Sequence, residues 1–269
     1  MGLRPGTWLL GLFLLSKPLE VPSPLPRLLP PPPGLDGKEV AERAEEVLRG
    51  DTIYLEATMT IVSPRLPAPR VVVFRAWDDR EKKRTFIRIL APAKDAGTAF
   101  LKLHPNLWMY VPRVERTVRI PPSMMLQPWM GSDFTNDDLV RESSQLEDYS
   151  HRLLGIDPGP EGFTDLRAYV VEYVPRPGAP VVWGRIVTWI ETEHFTPIRS
   201  DFYDEKGERL RILRYSDIRE VEGRRFPFRW TVLPLDKPGH RTEIQVQAVR
   251  FDETFDETIF TTRHLRERL

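Results

Sequence analysis

Beyond Gly50 the apolar side chains return at every second residue, starting with Leu55, Ala57, Met59 and Ile61 against Glu56, Thr58 and Thr60. A period of two puts one set on each face of an extended chain, so this segment is a half-buried strand rather than a helix. Further β-rich runs cover 70–77, 84–90, 98–103, 107–111 and 116–120, then 167–174, 181–191, 197–203, 209–216, 225–233 and 240–251. Pro, Gly, Asp or Asn separate them, with Gly207 and Gly223 at turns, and such short connections favour antiparallel neighbours. A flat sheet of this size would leave long open edges and a bare apolar face. It must therefore curl over something, which gives a mainly β chain built on a large, highly curved antiparallel sheet.

Ahead of the strands, Asp36 and Glu39 have capping-box spacing, Val40, Ala41, Ala44, Val47 and Leu48 share one helical face, and Gly50 supplies a stop. A helix is predicted over 37–49. Farther upstream, half of the residues from Pro18 to Pro33 are proline, a composition that removes backbone donors and gives a stiff tether. Arg4 followed by the apolar run from Trp8 to Leu15 has the form of a signal-peptide core, too short to span a bilayer. The chain is thus divided into a leader and linker over 1–34 and one folded domain over 35–269, with export to the periplasm expected, either released or tethered by an uncleaved leader. Without cysteine the chain has neither disulfides nor a lipidated N-terminal Cys.

Several strands are apolar on both sides. Tyr169, Val171 and Tyr173 oppose Val170 and Val174, and Trp183, Val187 and Trp189 oppose Val182, Ile186 and Ile190. Two arrangements fit: a cavity-lining face backed by a helix-packing face, or burial on both sides within a sandwich.

Thirty-nine basic residues balance 39 acidic ones, so no net field draws the chain to nucleic acid. The five histidines are scattered, without ligand spacing, and Glu191, Glu193 and His194 are the densest group of donor residues, with alternation placing His194 on the opposite face. There is no nucleophile elbow, phosphate loop or dinucleotide fingerprint. The expectation is a protein without catalytic residues, metal or cofactor, acting as a monomer.

The segment from Leu107 to Leu139 is the most informative. Thr135 with Asp138 three residues later caps a helix predicted over 136–146, Gly131 permits a tight turn, and Asp133 is placed to accept hydrogen bonds from the turn backbone. Four of the six methionines (Met109, Met124, Met125 and Met130) fall in this stretch beside Leu126 and Trp129, and Pro121, Pro122 and Pro128 break regular pairing around them. Thioethers adapt to irregular apolar shapes, so the cluster suits either a lid over a lipid tail or irregular core filling.

Read in order, Trp108, Tyr110, Pro112, Arg119, Ile120, Met130, Gly131, Ser132, Asp133, Phe134, Thr135, Asp138 and Leu139 resemble the hallmark block of the outer-membrane lipoprotein-sorting family of LolA/LolB-like periplasmic carriers. The end of the chain, with Phe260 and Thr261, is similar to that family's closing strand and tail. The resemblance implies a mainly β (α+β) fold, a curved antiparallel half-barrel sheet with helices covering the concave face, that holds acyl chains of lipoproteins or lipids for transfer toward the outer membrane. It also implies a transporter of the resistance-nodulation-division type as partner. Its candidate ligand-contacting residues are Trp108, Met109, Tyr110, Met124, Met125, Leu126, Trp129, Met130 and Phe134, with Gly131, Asp133, Thr135 and Asp138 as structural motif. The alternative is a non-catalytic envelope scaffold or transporter accessory protein without bound lipid.

Overall fold

The structure, a computed structural model, describes residues 25–141, 145–163, 165–179 and 181–267. The leader from Arg4 to Leu15 and the first part of the proline-rich linker lie outside the described residues.

Helix α1 (Gly37–Arg49) has the predicted bounds: Asp36 accepts from the Glu39 amide at 2.8 Å, and Gly50 closes the last turn onto Glu46. Gly37 sits so close to a strand that an added Cβ would lie 2.7 Å from the Leu153 nitrogen, so its lack of a side chain lets the helix rest on the sheet.

The strands are β1 (Thr52–Val62), β2 (Arg70–Asp79), β3 (Arg84–Ala91), β4 (Ala99–Leu103), β5 (Asn106–Val111), β6 (Arg116–Ile120), β7 (Tyr149–Asp157), β8 (Ala168–Pro175), β9 (Arg185–Glu191), β10 (Pro197–Tyr203), β11 (Arg209–Val221), β12 (Arg224–Pro234) and β13 (Arg241–Phe251). They form one antiparallel sheet in the order β6-β5-β4-β3-β2-β1-β13-β12-β11-β10-β9-β8-β7. Two meanders, β1 to β6 and β7 to β13, are joined where β1 pairs with β13, and the sheet ends on β6 and β7 without closing. Register shifts leave an extra residue in β3, β7, β10, β11 and β13, bulges that raise local twist and bend the sheet.

The sequence reading found every strand except β7. Its alternation is broken by the shift between Leu153 and Gly155, where φ is +153° and an added Cβ would lie 2.4 Å from the Leu29 carbonyl oxygen. That close approach lets Leu29 bridge Ile156 through two backbone hydrogen bonds of 2.8 and 2.9 Å, so the end of the linker lies along the β7 edge. The helix predicted over 136–146 is described as α2 (Asn136–Arg141) and α3 (Gln145–Asp148).

Leu55, Ala57, Met59 and Ile61 join Phe74, Ile89, Phe100, Leu107, Met125 and Trp129 in one buried cluster on the concave face, continued by Val40, Ala41 and Ala44 of α1 against Tyr173, Ile186 and Phe202. The two-sided strands resolve differently from either sequence-based arrangement. Val171, Tyr173, Ile186 and Ile190 face α1, so helix and cavity share the concave face. Val170, Val187 and Trp189 turn to the convex side and pack with Leu28, Leu154 and Phe163. Trp183 precedes β9 and packs on the concave side, away from Val187 and Trp189. On the other wing the convex face of β3 to β5 is covered by the C-terminal tail: Phe260 and Leu265 pack on Phe86, Leu101 and Tyr110, and Arg88 donates to the His264 and Glu267 carbonyls.

Candidate functional site

The concave face is not filled by its cover. Between the sheet, α1, α2, α3 and the 129–134 turn lies a cavity of about 210 Å³. An apolar cavity of about 150 Å³ is already large enough to stay dry and take up a benzene-sized molecule. Leu55, Phe74, Ala76 and Ile87 line it from one wing, Ile186, Phe202, Leu213 and Trp230 from the other, and Ala41, Ala44, Leu48, Leu139 and Leu146 from the helices.

Five of its six charged lining residues stand in ion pairs at opposite ends of the strands, and the sixth, Asp137, donates its amide to the Met125 carbonyl. Near the start of β11, Arg211 donates to both carboxylate oxygens of Asp138 at 2.6 and 2.7 Å, and its guanidinium packs 4.5 Å from the Trp183 ring and 4.2 Å from Phe202. Asp138 also takes the Thr135 amide at 2.7 Å, while Thr135 Oγ1 accepts from the Asp138 amide, the reciprocal cap expected at the start of α2. Burial pushes the Asp138 carboxyl up, but Arg211 and Thr135 outweigh it and hold the group below the ordinary carboxylate range. At the far end Asp78, Arg49 and Glu45 form a second group: Arg49 pairs with Asp78 and lies 3.2 Å from Glu45, and the Thr85 hydroxyl donates to Asp78. Burial raises the Glu45 carboxyl, whereas at Asp78 it is overcome by Arg49 and Lys102, which keep that carboxyl low. Tyr173 is raised by burial, so its phenol stays protonated, and the hydroxyls of Thr188 and Ser200 share a hydrogen bond of 3.0 Å. A largely hydrocarbon interior in which Asp138 and Asp78 each meet an arginine suits an uncharged, flexible apolar guest.

The sequence-predicted ligand-contacting residues go to four places. Trp129 and Phe134 line the cavity, Trp129 being 2% exposed and set edge-on to Phe74 and Phe100 at ring distances of 5.5 and 5.8 Å. Met109, Met125 and Met130 pack on the concave core around Trp129, whereas Trp108 and Tyr110 face the convex side beneath the tail. Met124 and Leu126 are exposed. Among the motif residues, Gly131 adopts φ +73° and Thr135 and Asp138 form the helix cap. Asp133 is anchored otherwise than expected: its carboxylate accepts the buried Thr242 hydroxyl at 2.7 Å and its amide donates back at 2.9 Å, so Asp133 pins the turn to β13.

Arg211, Phe202 and the Glu45, Arg49 and Asp78 group escaped the sequence reading, whereas Tyr173 and Trp183 lie in the two-sided strands for which a cavity-lining face was one of the two arrangements. A signal existed. Asp78 continues the alternation of Phe74 and Ala76, and Arg211 that of Leu213 and Tyr215, so each charge shares a strand face with residues of the cavity wall. The donors of Glu191, Glu193 and His194 lie within 4.8 Å of one another, in contrast to the opposite faces expected, because β9 ends at Glu191 and its carboxylate caps the amides of Glu193 and His194 in the turn that follows. No helix among the described residues is long and apolar enough to cross a membrane.

A family model described as "Uncharacterized protein" matches residues 81–267. No curated protein matches the chain. Among solved structures it is similar to a putative outer membrane lipoprotein-sorting protein domain from Vibrio parahaemolyticus, with 22% identity, a TM-score of 0.74 and coverage of 86% of this chain and 98% of that one. A DUF1329 family protein from Desulfovibrio piger aligns with 23% identity and a TM-score of 0.76 over 85% and 97% of the two chains. A LolA superfamily protein from Nitrosomonas europaea aligns with 20% identity and a TM-score of 0.71 over 86% and 100%.

Proposed function

Because the chain belongs to the family whose model spans residues 81–267 and has a LolA-like fold, we propose that it is a periplasmic carrier that shelters an acyl chain of a lipoprotein or lipid for transfer toward the outer membrane. The observation that supports this reading is the cavity of about 210 Å³ between the concave sheet and its helices. A hydrocarbon chain gains about 0.8 kcal/mol for each CH₂ it removes from water, and neither a nucleophile nor a cofactor is needed for that work. A scaffold needs no such space. The carrier is non-catalytic in this reading, and a resistance-nodulation-division transporter is the partner that would hand over or receive the cargo.

Native mass spectrometry of the protein purified from a Gram-negative envelope, followed by solvent extraction, tests the reading. The expected spectrum contains species heavier than the polypeptide by the mass of a lipid that the extract then releases. Polypeptide mass alone, with an extract free of acylated compounds, would contradict it.

A further inference from the structure

The β6 edge of the sheet combines two features rarely left together in solvent. Val114, Val118, Met124 and Leu126 are 60%, 47%, 47% and 58% exposed, four large apolar side chains within thirteen residues. Interleaved with them are Arg113, Arg116 and Arg119, and none of these three has an ion pair among the described residues. From His104 to Ser132 the sequence sets these three arginines against the single carboxylate Glu115, although the whole chain is neutral. The apolar residues stand out singly from a strand edge and a proline-stiffened loop. A peptide-binding groove would instead gather them around a concavity.

The same loop has an inner side. Met125 and Trp129 are buried, Trp129 against the cavity, and the amides of Asn136 and Asp137 bond to Gln127 and Met125 at 3.1 and 2.8 Å, tying the loop to the start of α2. Its outer face therefore rides on a rigid wall of the cavity.

We infer that the β6 edge and the 121–127 loop form a docking surface for an anionic phospholipid bilayer, with the arginines meeting lipid phosphates and Val118, Met124 and Leu126 entering the interface. Shallow apolar insertion combined with basic charge is the chemistry by which soluble proteins settle reversibly on anionic membranes. Docking of this kind is independent of what the cavity holds. Arginines on an edge strand also deter sheet-to-sheet aggregation, and that role alone predicts self-association, not altered membrane binding, when they are removed.

The test is flotation of the full chain with vesicles of phosphatidylcholine alone or mixed with phosphatidylglycerol. Wild type should float only with the anionic vesicles, and less so as salt is raised. Each arginine is worth roughly fivefold in affinity near such a surface, so Arg113→Gln, Arg116→Gln and Arg119→Gln together should weaken binding on the order of a hundredfold. Met124→Ser with Leu126→Ser should weaken it roughly tenfold or more while thermal unfolding stays unchanged. Equal flotation with both vesicle types, or a triple variant that binds as wild type or only self-associates, would overturn the proposal. Capture by immobilised polyglutamate without any vesicle binding would overturn it in favour of an acidic protein partner.

Discussion

The two wings of the sheet contribute differently to the same cavity. The β1 to β6 wing, with the loop that follows it, contains nearly all of the motif residues, yet most of those build supports: Trp108 and Tyr110 under the tail, Asp133 on Thr242, Thr135 and Asp138 at the cap. The β7 to β13 wing has no recognisable motif and supplies Tyr173, Ile186, Phe202, Arg211, Leu213 and Trp230 to the cavity wall. A signature that stands out in sequence here marks how the cover is held, while the guest-facing surface is ordinary strand alternation that many sequences satisfy.

The sharpest way to break this comparison is at a buried bond where the wings' contributions meet, Asp138 to Arg211. Arg211→Ala leaves a buried carboxylate without its cation and should cost about 3–5 kcal/mol in urea unfolding, while Arg211→Met combined with Asp138→Leu should recover most of the loss. Recovery failing in the double variant would mean that Arg211 matters through its stacking on Trp183 and Phe202 instead. The pair also sets an acid limit. Because the Asp138 carboxyl is held below its unfolded value, its contribution is present above that value and is lost as pH falls through the folded one. Stability should thus decline below about pH 4, and less steeply in the double variant.

A smaller effect belongs to the motif wing. Asp133→Ala removes the partner of a fully buried hydroxyl and should cost about 1–3 kcal/mol, with Thr242→Val largely suppressing the additional loss in a double-mutant cycle. Additive losses would show that the turn is held by something other than this pair.

The smallest contrast lies between neighbours. Met125 is 9% exposed and packs on Trp129's cluster, so Met125→Gln should cost about 1.5–3 kcal/mol, whereas Met124, 47% exposed, should tolerate the same change within about 0.5 kcal/mol. If both variants unfold alike, the loop does not divide into an inner and an outer side.

How much of this was legible follows from the range of each interaction. The α1 helix and twelve strands were readable because capping spacing and period-two alternation are local. Strand β7 was not, since a bulge interrupts its alternation and a good helix start at Thr135 lies just upstream. The Asp133 anchor was read as local but reaches 109 residues along the chain to Thr242, and Arg211 finds Asp138 across 73. Only the folded sheet brings such partners together, so the sequence shows the charges without showing what neutralises them.

The central claim is that the space between sheet and helices is a binding site for a hydrocarbon chain. Ala76, in register between Leu55 and Ile87 on the concave face, lines that space, so Ala76→Phe projects a ring into the cavity from a strand position that accepts aromatic residues. Titrating a fluorescent fatty acid into delipidated wild type and Ala76→Phe, with thermal unfolding of both, tests it directly. Wild type should bind the probe saturably, and the variant should bind it at least roughly tenfold more weakly with its fold intact. Equal affinity in the two proteins would contradict the account.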